Sequence, residues 1–179
     1  MTIQELIEKD HTFSESGFIA KVDNTFIMLL TSIMTDNIDR VKHKLSDDLF
    51  EKYKTLVNSL NERNERQMYD ELNVKSTNIQ TIEEDGDYYI IKVLLISRYM
   101  DYKMDKTTLK LISGNNNSRI EKTNYLTFKK LKTARDESIA RKCPTCGASA
   151  DTNNTGICPF CHSSYNTYKY DWVLTNLDH

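Results

Sequence analysis

Apolar residues recur at helical spacing through the first third of the chain, and each run follows a residue that can cap a helix. Thr2 and Glu5 form a capping-box pattern before the first short run. Ser14 precedes a longer run, and Ser46 precedes a third. The apolar positions of the two longer runs are Phe18, Val22, Phe26, Leu29, Leu30 and Ile33, then Leu49, Tyr53, Leu56 and Leu60. This pattern predicts three helices that each bury one face.

Beyond Tyr69 the apolar period changes from that of a helix to that of a strand. Asp85-Gly86 is a hairpin signal between two such segments, and the polar loop at 113–118 separates the second from a third at 119–131. A fourth strand is expected in the segment YKYDWVLTNL, residues 168–177. Helices followed by an antiparallel meander predict an α+β fold.

All four cysteines lie between the third and fourth predicted strands, in the spacing C-x2-C-x11-C-x2-C. Two CxxC turns can present four thiolates in a tetrahedron, the geometry of structural Zn²⁺. We therefore predict one structural Zn²⁺ held by Cys143, Cys146, Cys158 and Cys161, with His162 beside the site and not a ligand. A rubredoxin-like iron site and a redox CxxC are less consistent with the short spacer and the doubled motif. Four protein ligands leave no position for substrate, so the metal is expected to stabilise and not to catalyse.

The position of the cysteines also predicts the domain organisation. Residues 1–135 and 164–179 would form the α+β domain, and residues 136–163 would be a zinc-ribbon insertion before the last strand.

Charge gives little reason to expect a nucleic-acid partner. The net charge is −2, and between Cys143 and Tyr165 the only charged side chain apart from His162 is Asp151. The segment that leads to the first cysteine, residues 129–142, is basic. This indicates either a solvated strand end or a patch for an anionic surface or an acidic partner. Its charged residues are Lys129, Lys130, Lys132, Arg135, Asp136, Glu137, Arg141 and Lys142.

No catalytic motif is present: the sequence has no GxSxG elbow, no phosphate-binding glycine loop and no HExxH pair. Acid–base chemistry would have to use groups such as Tyr99, Asp101 or Tyr102, and we expect no enzyme activity. Aromatic residues are expected to fill the space between helices and sheet, although a small-ligand pocket there is an alternative. These residues are Tyr88, Tyr89, Tyr99, Tyr125, Phe128, Tyr168, Tyr170 and Trp172.

The N-terminus has neither the basic start nor the apolar run of a signal peptide, and the longest apolar run, residues 26–30, is too short to span a membrane. The chain is therefore expected to be cytoplasmic, with peripheral contact to a membrane as an alternative.

Several of these motifs, in this order, resemble the bacterial Tim44-like family, which is similar to the C-terminal domain of the mitochondrial import-motor scaffold. The motifs are the helical segment 13–53, YMDYKMD, YLTFKKL, the double CxxC and YDWVL. The resemblance spans about residues 13–177. It implies a nuclear-transport-factor-two-like cone, with helices on a curved antiparallel sheet, and it transfers only the four cysteines as a site. His162 stands where the family usually has glycine.

The resemblance also implies a non-enzymatic role, because the mitochondrial relative tethers a chaperone motor and is associated with cardiolipin-containing bilayers. Many bacterial relatives carry a membrane-spanning segment before this domain, which this sequence does not show. We therefore expect a zinc-stabilised scaffold or binding domain for a protein partner or a lipid-associated surface. A small-ligand or enzymatic cone-fold domain is the alternative, and a nucleic-acid-binding ribbon is a remote third.

Overall fold

The computed structural model describes residues 1–132, 141–142, 146–147, 149–150, 158–162 and 171–179. Four helices come first in the chain. They are α1 (Ile3–Lys9), α2 (Glu15–Met34), a 3₁₀ helix (Ile38–Lys44) and α3 (Asp47–Glu62).

The three predicted helix starts are confirmed atom by atom. The Thr2 Oγ1 accepts from the Glu5 amide at 3.2 Å, while the Glu5 carboxylate accepts from the Thr2 amide at 2.6 Å. Ser14 and Ser46 accept in the same way from the amides of Gly17 and Leu49. Each cap satisfies a backbone donor that the first turn of a helix leaves without a partner.

The two long helices bury the faces that their spacing predicts, with one exception. All six predicted positions of α2 are buried, and so are Leu49, Tyr53 and Leu60 of α3. Leu56 is 37% exposed, and the buried position at that turn is Val57. The buried residues Leu49, Tyr53 and Val57 are spaced four residues apart, whereas Leu56 is only three residues after Tyr53 and so lies on the other side of Tyr53 around the helix, towards solvent.

The strands form one antiparallel sheet and one small two-stranded ribbon, which confirms the α+β class. The main sheet has the order β1-β2-β4-β7, with β3 beside the end of β2. The strands are β1 (Glu65–Asp85), β2 (Tyr88–Asp105), β3 (Leu111–Gly114), β4 (Ile120–Leu131), β5 (Arg141–Lys142), β6 (Ser149–Ala150) and β7 (Val173–Asp178).

The first hairpin turns where the sequence predicts it. Asp85 pairs with Tyr88, and Gly86 adopts a positive φ of 56°, which a residue without Cβ reaches at little cost. However, β1 begins at Glu65, several residues earlier than predicted, because its first residues pair with the far end of β2 at Asp105. The register of β1 against β2 shifts at three points, and such bulges bend a strand.

The C-terminal strand completes the main sheet despite its distance along the chain. Within β7, Val173 pairs with Lys129 and Leu174 pairs with Phe128 of β4. The Ser46 amide also donates to the Leu174 carbonyl at 2.9 Å, which joins the start of α3 to this edge. Of the predicted fourth strand, Tyr168 and Tyr170 lie outside the described residues.

The core lies between the helices and one face of the sheet, and an aromatic cluster fills one end of it. The ring centroids of Phe18 and Trp172 are 5.1 Å apart, and those of Phe18 and Phe128 are 5.6 Å apart. Among the other predicted core aromatics, Tyr89 and Tyr99 are buried, whereas Tyr125 is 54% exposed.

By length and composition alone, α2 could cross a bilayer. Its buried residues, however, belong to the same hydrophobic cluster as those of β2, β4 and β7, as expected of a core helix. Its apolar character is therefore explained by packing in the fold.

Candidate metal centre

A short antiparallel pairing lies on either side of Cys146 along the chain. Arg141 of β5 pairs with Ala150 of β6, and Lys142 pairs with Ser149. Cys146 lies between these two paired strands in the sequence. Gly147 follows with φ +72°, and a Cβ built there would meet nothing within 4 Å.

The second CxxC pair forms a tight turn of its own. The His162 amide donates to the Cys158 carbonyl at 2.9 Å, which closes the turn over Pro159, Phe160 and Cys161. His162 has φ +59°, the left-handed conformation that Gly147 adopts after the first pair. The residue after Cys146, a glycine, and the residue after Cys161, a histidine, therefore share the left-handed backbone conformation.

The two turns bring their sulfurs together. The Sγ atoms of Cys146, Cys158 and Cys161 all lie within 4.8 Å of one another, and those of Cys146 and Cys158 are 3.7 Å apart. A disulfide would need a separation of about 2.05 Å. A tetrahedron with a metal–sulfur bond of about 2.3 Å has edges of about 3.8 Å. The three thiols therefore have the spacing of ligands around one metal ion.

The fourth predicted ligand, Cys143, lies outside the described residues. Of the three described cysteines, Cys158 is fully buried while Cys146 and Cys161 are exposed. Neighbouring thiolates repel one another unless a cation lies between them, so this arrangement is suited to binding a cation.

In the basic segment before the first cysteine, the lysines whose side chains the structure describes lie close to carboxylates that neutralise their charge. Lys130 pairs with Asp10 at 2.6 Å, Lys132 pairs with Glu84 at 2.6 Å, and the Lys129 Nζ lies 3.9 Å from Asp85. Hydrogen bonds from Lys132 and then Lys9 lower the pKa of Glu84 to about 2. The three lysines thus belong to the fold's own ion pairs, which favours the solvated-strand interpretation over an anion-binding patch.

The three acid–base candidates serve structural contacts. Tyr99 is buried, with its ring 5.3 Å from that of Tyr69, and burial raises the pKa of its phenol. Asp101 accepts a hydrogen bond from Gln67 at 2.7 Å. Burial, together with a nearby carboxylate, also raises the pKa of Tyr102. A phenol whose pKa is raised is a weaker acid, and less of it is present as phenolate near neutral pH, so it is poorly suited to either role in acid–base catalysis.

Sequence reasoning missed a cavity of about 550 Å³ between α2 and the 3₁₀ helix. It is lined by residues between positions 21 and 44 together with Asp171, just before β7. No short motif joins these positions, so only the fold brings them together.

The fold and the site together define a helix-on-sheet binding domain with a cluster of thiols. The Tim44-like domain family matches residues 1–138, and the chain belongs to this family. Its domains are in general non-enzymatic scaffold or binding domains associated with proteins and membranes. The match ends before Cys143, so it does not include the cysteine cluster.

The chain is also similar to solved structures, among them the intermembrane space region of the chloroplast protein ARC6. The sequence identity is 11%, the TM-score is 0.41, and the alignment covers 89% of this chain and 94% of that one. Among curated proteins, none matches the sequence.

Proposed function

We propose that this protein is a non-enzymatic, zinc-stabilised binding domain that holds a protein partner at its surface. Membership of the Tim44-like family supports the scaffold role. The 3.7 Å separation of two sulfurs, close to the edge of a zinc–thiolate tetrahedron, is the observation that carries the metal assignment.

Zinc suits this donor set better than other divalent ions. Thiolates are soft ligands, and a tetrahedral four-sulfur site is typical of structural zinc. Cys143 would supply the fourth thiolate. A site completed by four protein ligands has no open position for water, so its role would be to hold residues 136–163 together as a ribbon inserted before β7.

The proposed architecture is a nuclear-transport-factor-two-like cone. Two features support it: the order of helices before an antiparallel sheet, and the three register shifts that bend β1 along its length.

A group of exposed apolar side chains at one end of the sheet supports a protein partner. Leu109 precedes β3, Leu111 and Ile112 lie in β3, and Ile120 begins β4. All four are exposed, between 37% for Ile120 and 66% for Leu109. Large apolar side chains grouped on a surface are a common mark of a protein interface. We name these four residues the β3 surface.

Metal content is measured first, by native and denaturing mass spectrometry of the purified protein. The expected result is one zinc per chain in the native spectrum and none after denaturation. A native spectrum without zinc from protein prepared with zinc present would overturn the metal assignment. A co-purified organic ligand would instead favour the small-ligand alternative.

The binding role is tested by crosslinking in cells, followed by reconstitution with the purified partner. The L111S/I112S variant should weaken the reconstituted complex at least tenfold, while L56S/Y125S, which removes exposed apolar groups elsewhere, should leave it intact. Equal affinity of both variants would contradict the β3 surface. Retention of the wild type by anionic vesicles without any protein partner would show that a lipid surface is what the domain recognises.

A further inference from the structure

The cavity between α2 and the 3₁₀ helix has the size of a small-molecule site. Its volume of about 550 Å³ lies within the usual range for such sites. One wall is a face of α2 from Lys21 to Ser32, and the opposite wall carries Arg40 and Lys44 of the 3₁₀ helix.

The described lining has more positive charge than negative charge. Lys21 is hydrogen-bonded to Asp171, so these two charges compensate each other. Arg40 and Lys44 have no carboxylate within ion-pair distance in the part of the chain that the structure describes. Two uncompensated cations on one short helix therefore face the same cavity.

The partial burial of Lys44 is unfavourable for its charged form. Burial lowers the pKa of its ammonium group, Asp171 opposes that effect, and Lys21 adds to it. An anion bound in the cavity would offset the desolvation of this charge.

Ser32 independently indicates that a hydrogen-bonding ligand is missing from the cavity. It lines the cavity, it is 1% exposed, and its Oγ is buried without a hydrogen-bond partner among the described residues. Buried hydroxyls are normally hydrogen-bonded, and serine in a helix can usually bond to the preceding turn. A ligand oxygen would supply the partner that Ser32 lacks.

The remaining lining is mixed in character. Ile27 and Met28 provide apolar surface, while Asn24 and Thr31 provide polar groups beside it. A simple inorganic ion would leave the apolar part of the wall without a contact.

We propose that this cavity binds a small organic oxyanion, a phosphate monoester or carboxylate with a short apolar portion. Arg40 and Lys44 bind the anionic group, Ser32 donates a hydrogen bond to it, and Ile27 and Met28 contact the apolar portion. This site is separate from the cysteine cluster and from the β3 surface, so it can fail without affecting the proposed scaffold function.

The test uses hexyl phosphate and hexanoate as probes, with inorganic phosphate for comparison. Titration calorimetry of the full chain, with the fluorescence of Trp172 as a second signal, should show saturable binding of at least one of the two organic probes. Trp172 directly follows Asp171 and is the only tryptophan. Inorganic phosphate should bind at least tenfold more weakly than hexyl phosphate.

Three variants locate the binding. R40Q/K44Q should weaken binding at least tenfold, whereas R98Q/K110Q, which removes two exposed cations elsewhere, should not. S32A should weaken binding severalfold without lowering the thermal midpoint, because its hydroxyl has no partner to lose. Loss of affinity together with an unchanged midpoint is a result that a purely structural serine would not give.

Vesicles of phosphatidylcholine containing phosphatidate distinguish a lipid headgroup from a free metabolite as the source of the anion. If both the organic probes and the vesicles bind, and R40Q/K44Q loses both, the proposal stands with a lipid as its source. If the organic probes bind, R40Q/K44Q loses that binding, and the vesicles do not bind, the proposal is supported with a soluble metabolite as the source of the anion. Absence of saturable probe binding at millimolar concentration, or equal losses in both double variants, overturns it.

Discussion

His162, beside the cysteine cluster, has a backbone conformation that is unfavourable for a residue with a Cβ atom. It adopts φ +59° directly after the last cysteine, a conformation that costs a residue with a Cβ about 1 kcal/mol relative to glycine. We predict that His162→Gly relieves this strain and slows zinc release to a chromogenic chelator about fivefold. The rate of colour development under excess chelator measures the effect.

Gly147 offers the matched opposite change. It has φ +72°, and space is open around the position of its missing Cβ, so Gly147→Ala introduces backbone strain and no clash. This variant should release zinc faster than the wild type. If the two substitutions changed the release rate in the same direction, backbone strain would not govern the stability of the turns.

Asp10 and Lys130 form a buried ion pair that fastens the segment after α1 to β4. Their side chains are 10% and 6% exposed, and Lys130 also donates to Thr12 at 3.0 Å. Burial alone would raise the pKa of Asp10, but the hydrogen bonds from Lys130 and Thr12 outweigh it and leave the pKa lowered. We predict that Asp10→Ala lowers the free energy of unfolding by about 3 kcal/mol, because a buried ammonium loses its counter-charge.

The double variant D10A/K130M provides the test of that explanation. Removing both charges should restore part of the loss, because no unpaired charge then remains buried. Urea unfolding of the wild type, both single variants and the double variant gives the coupling energy. Strict additivity of the two single losses would show that the pair contributes no specific interaction.

At the scale of elements, we predict that the proposed zinc ribbon and the helix-on-sheet core lose structure separately. In Cys158→Ser the fully buried ligand is lost, and metal-binding free energy is coupled to the folding of the segment that binds. We predict loss of zinc with the far-ultraviolet circular dichroism of the helices retained, since α2 and α3 bury their own apolar faces. Zinc content and unfolding midpoint unchanged from the wild type would refute the sulfur site, whereas loss of all helical signal would show that the ribbon supports the core.

Local signals made the helix starts and the first hairpin predictable from the sequence. A capping serine or an Asp-Gly turn acts on residues within a few positions of itself, so its effect is visible without the fold. The same reason made the cysteine cluster predictable: each CxxC turn is local, and the three described sulfurs converge as the spacing indicates.

Two elements that depend on distant partners, β3 and the 3₁₀ helix, were not predicted from the sequence. The strand β3 has four residues and exists through its pairing with Tyr102–Met104 of β2. The 3₁₀ helix packs against α2 and places Arg40 and Lys44 opposite Lys21, more than fifteen positions earlier. The cavity between them is a consequence of packing, which no periodicity along the chain records.

At the scale of the whole molecule, the partly buried histidine His43 couples folding to pH. Burial lowers its pKa to about 4, with Lys44 contributing and Asp171 opposing. Between about pH 6.5 and pH 4 the unfolded chain therefore binds a proton that the folded chain does not bind. The free energy of unfolding must fall as the pH falls through this window, and the histidine's contribution levels off below about pH 4.

We predict that the wild type is less stable at pH 5 than at pH 7 and that His43→Gln reduces this difference. Zinc release as thiolates take up protons also weakens the fold on acidification, but it does so equally in wild type and variant. Burial also lowers the pKa of His179, so His179→Gln is measured alongside to separate the contribution of that histidine from the contribution of His43. Urea midpoints at the two pH values, measured for all three proteins, isolate the contribution of His43. An identical pH dependence in wild type and H43Q would mean that His43 is charged as readily in the folded chain as in the unfolded one, and that the segment carrying it is open to solvent.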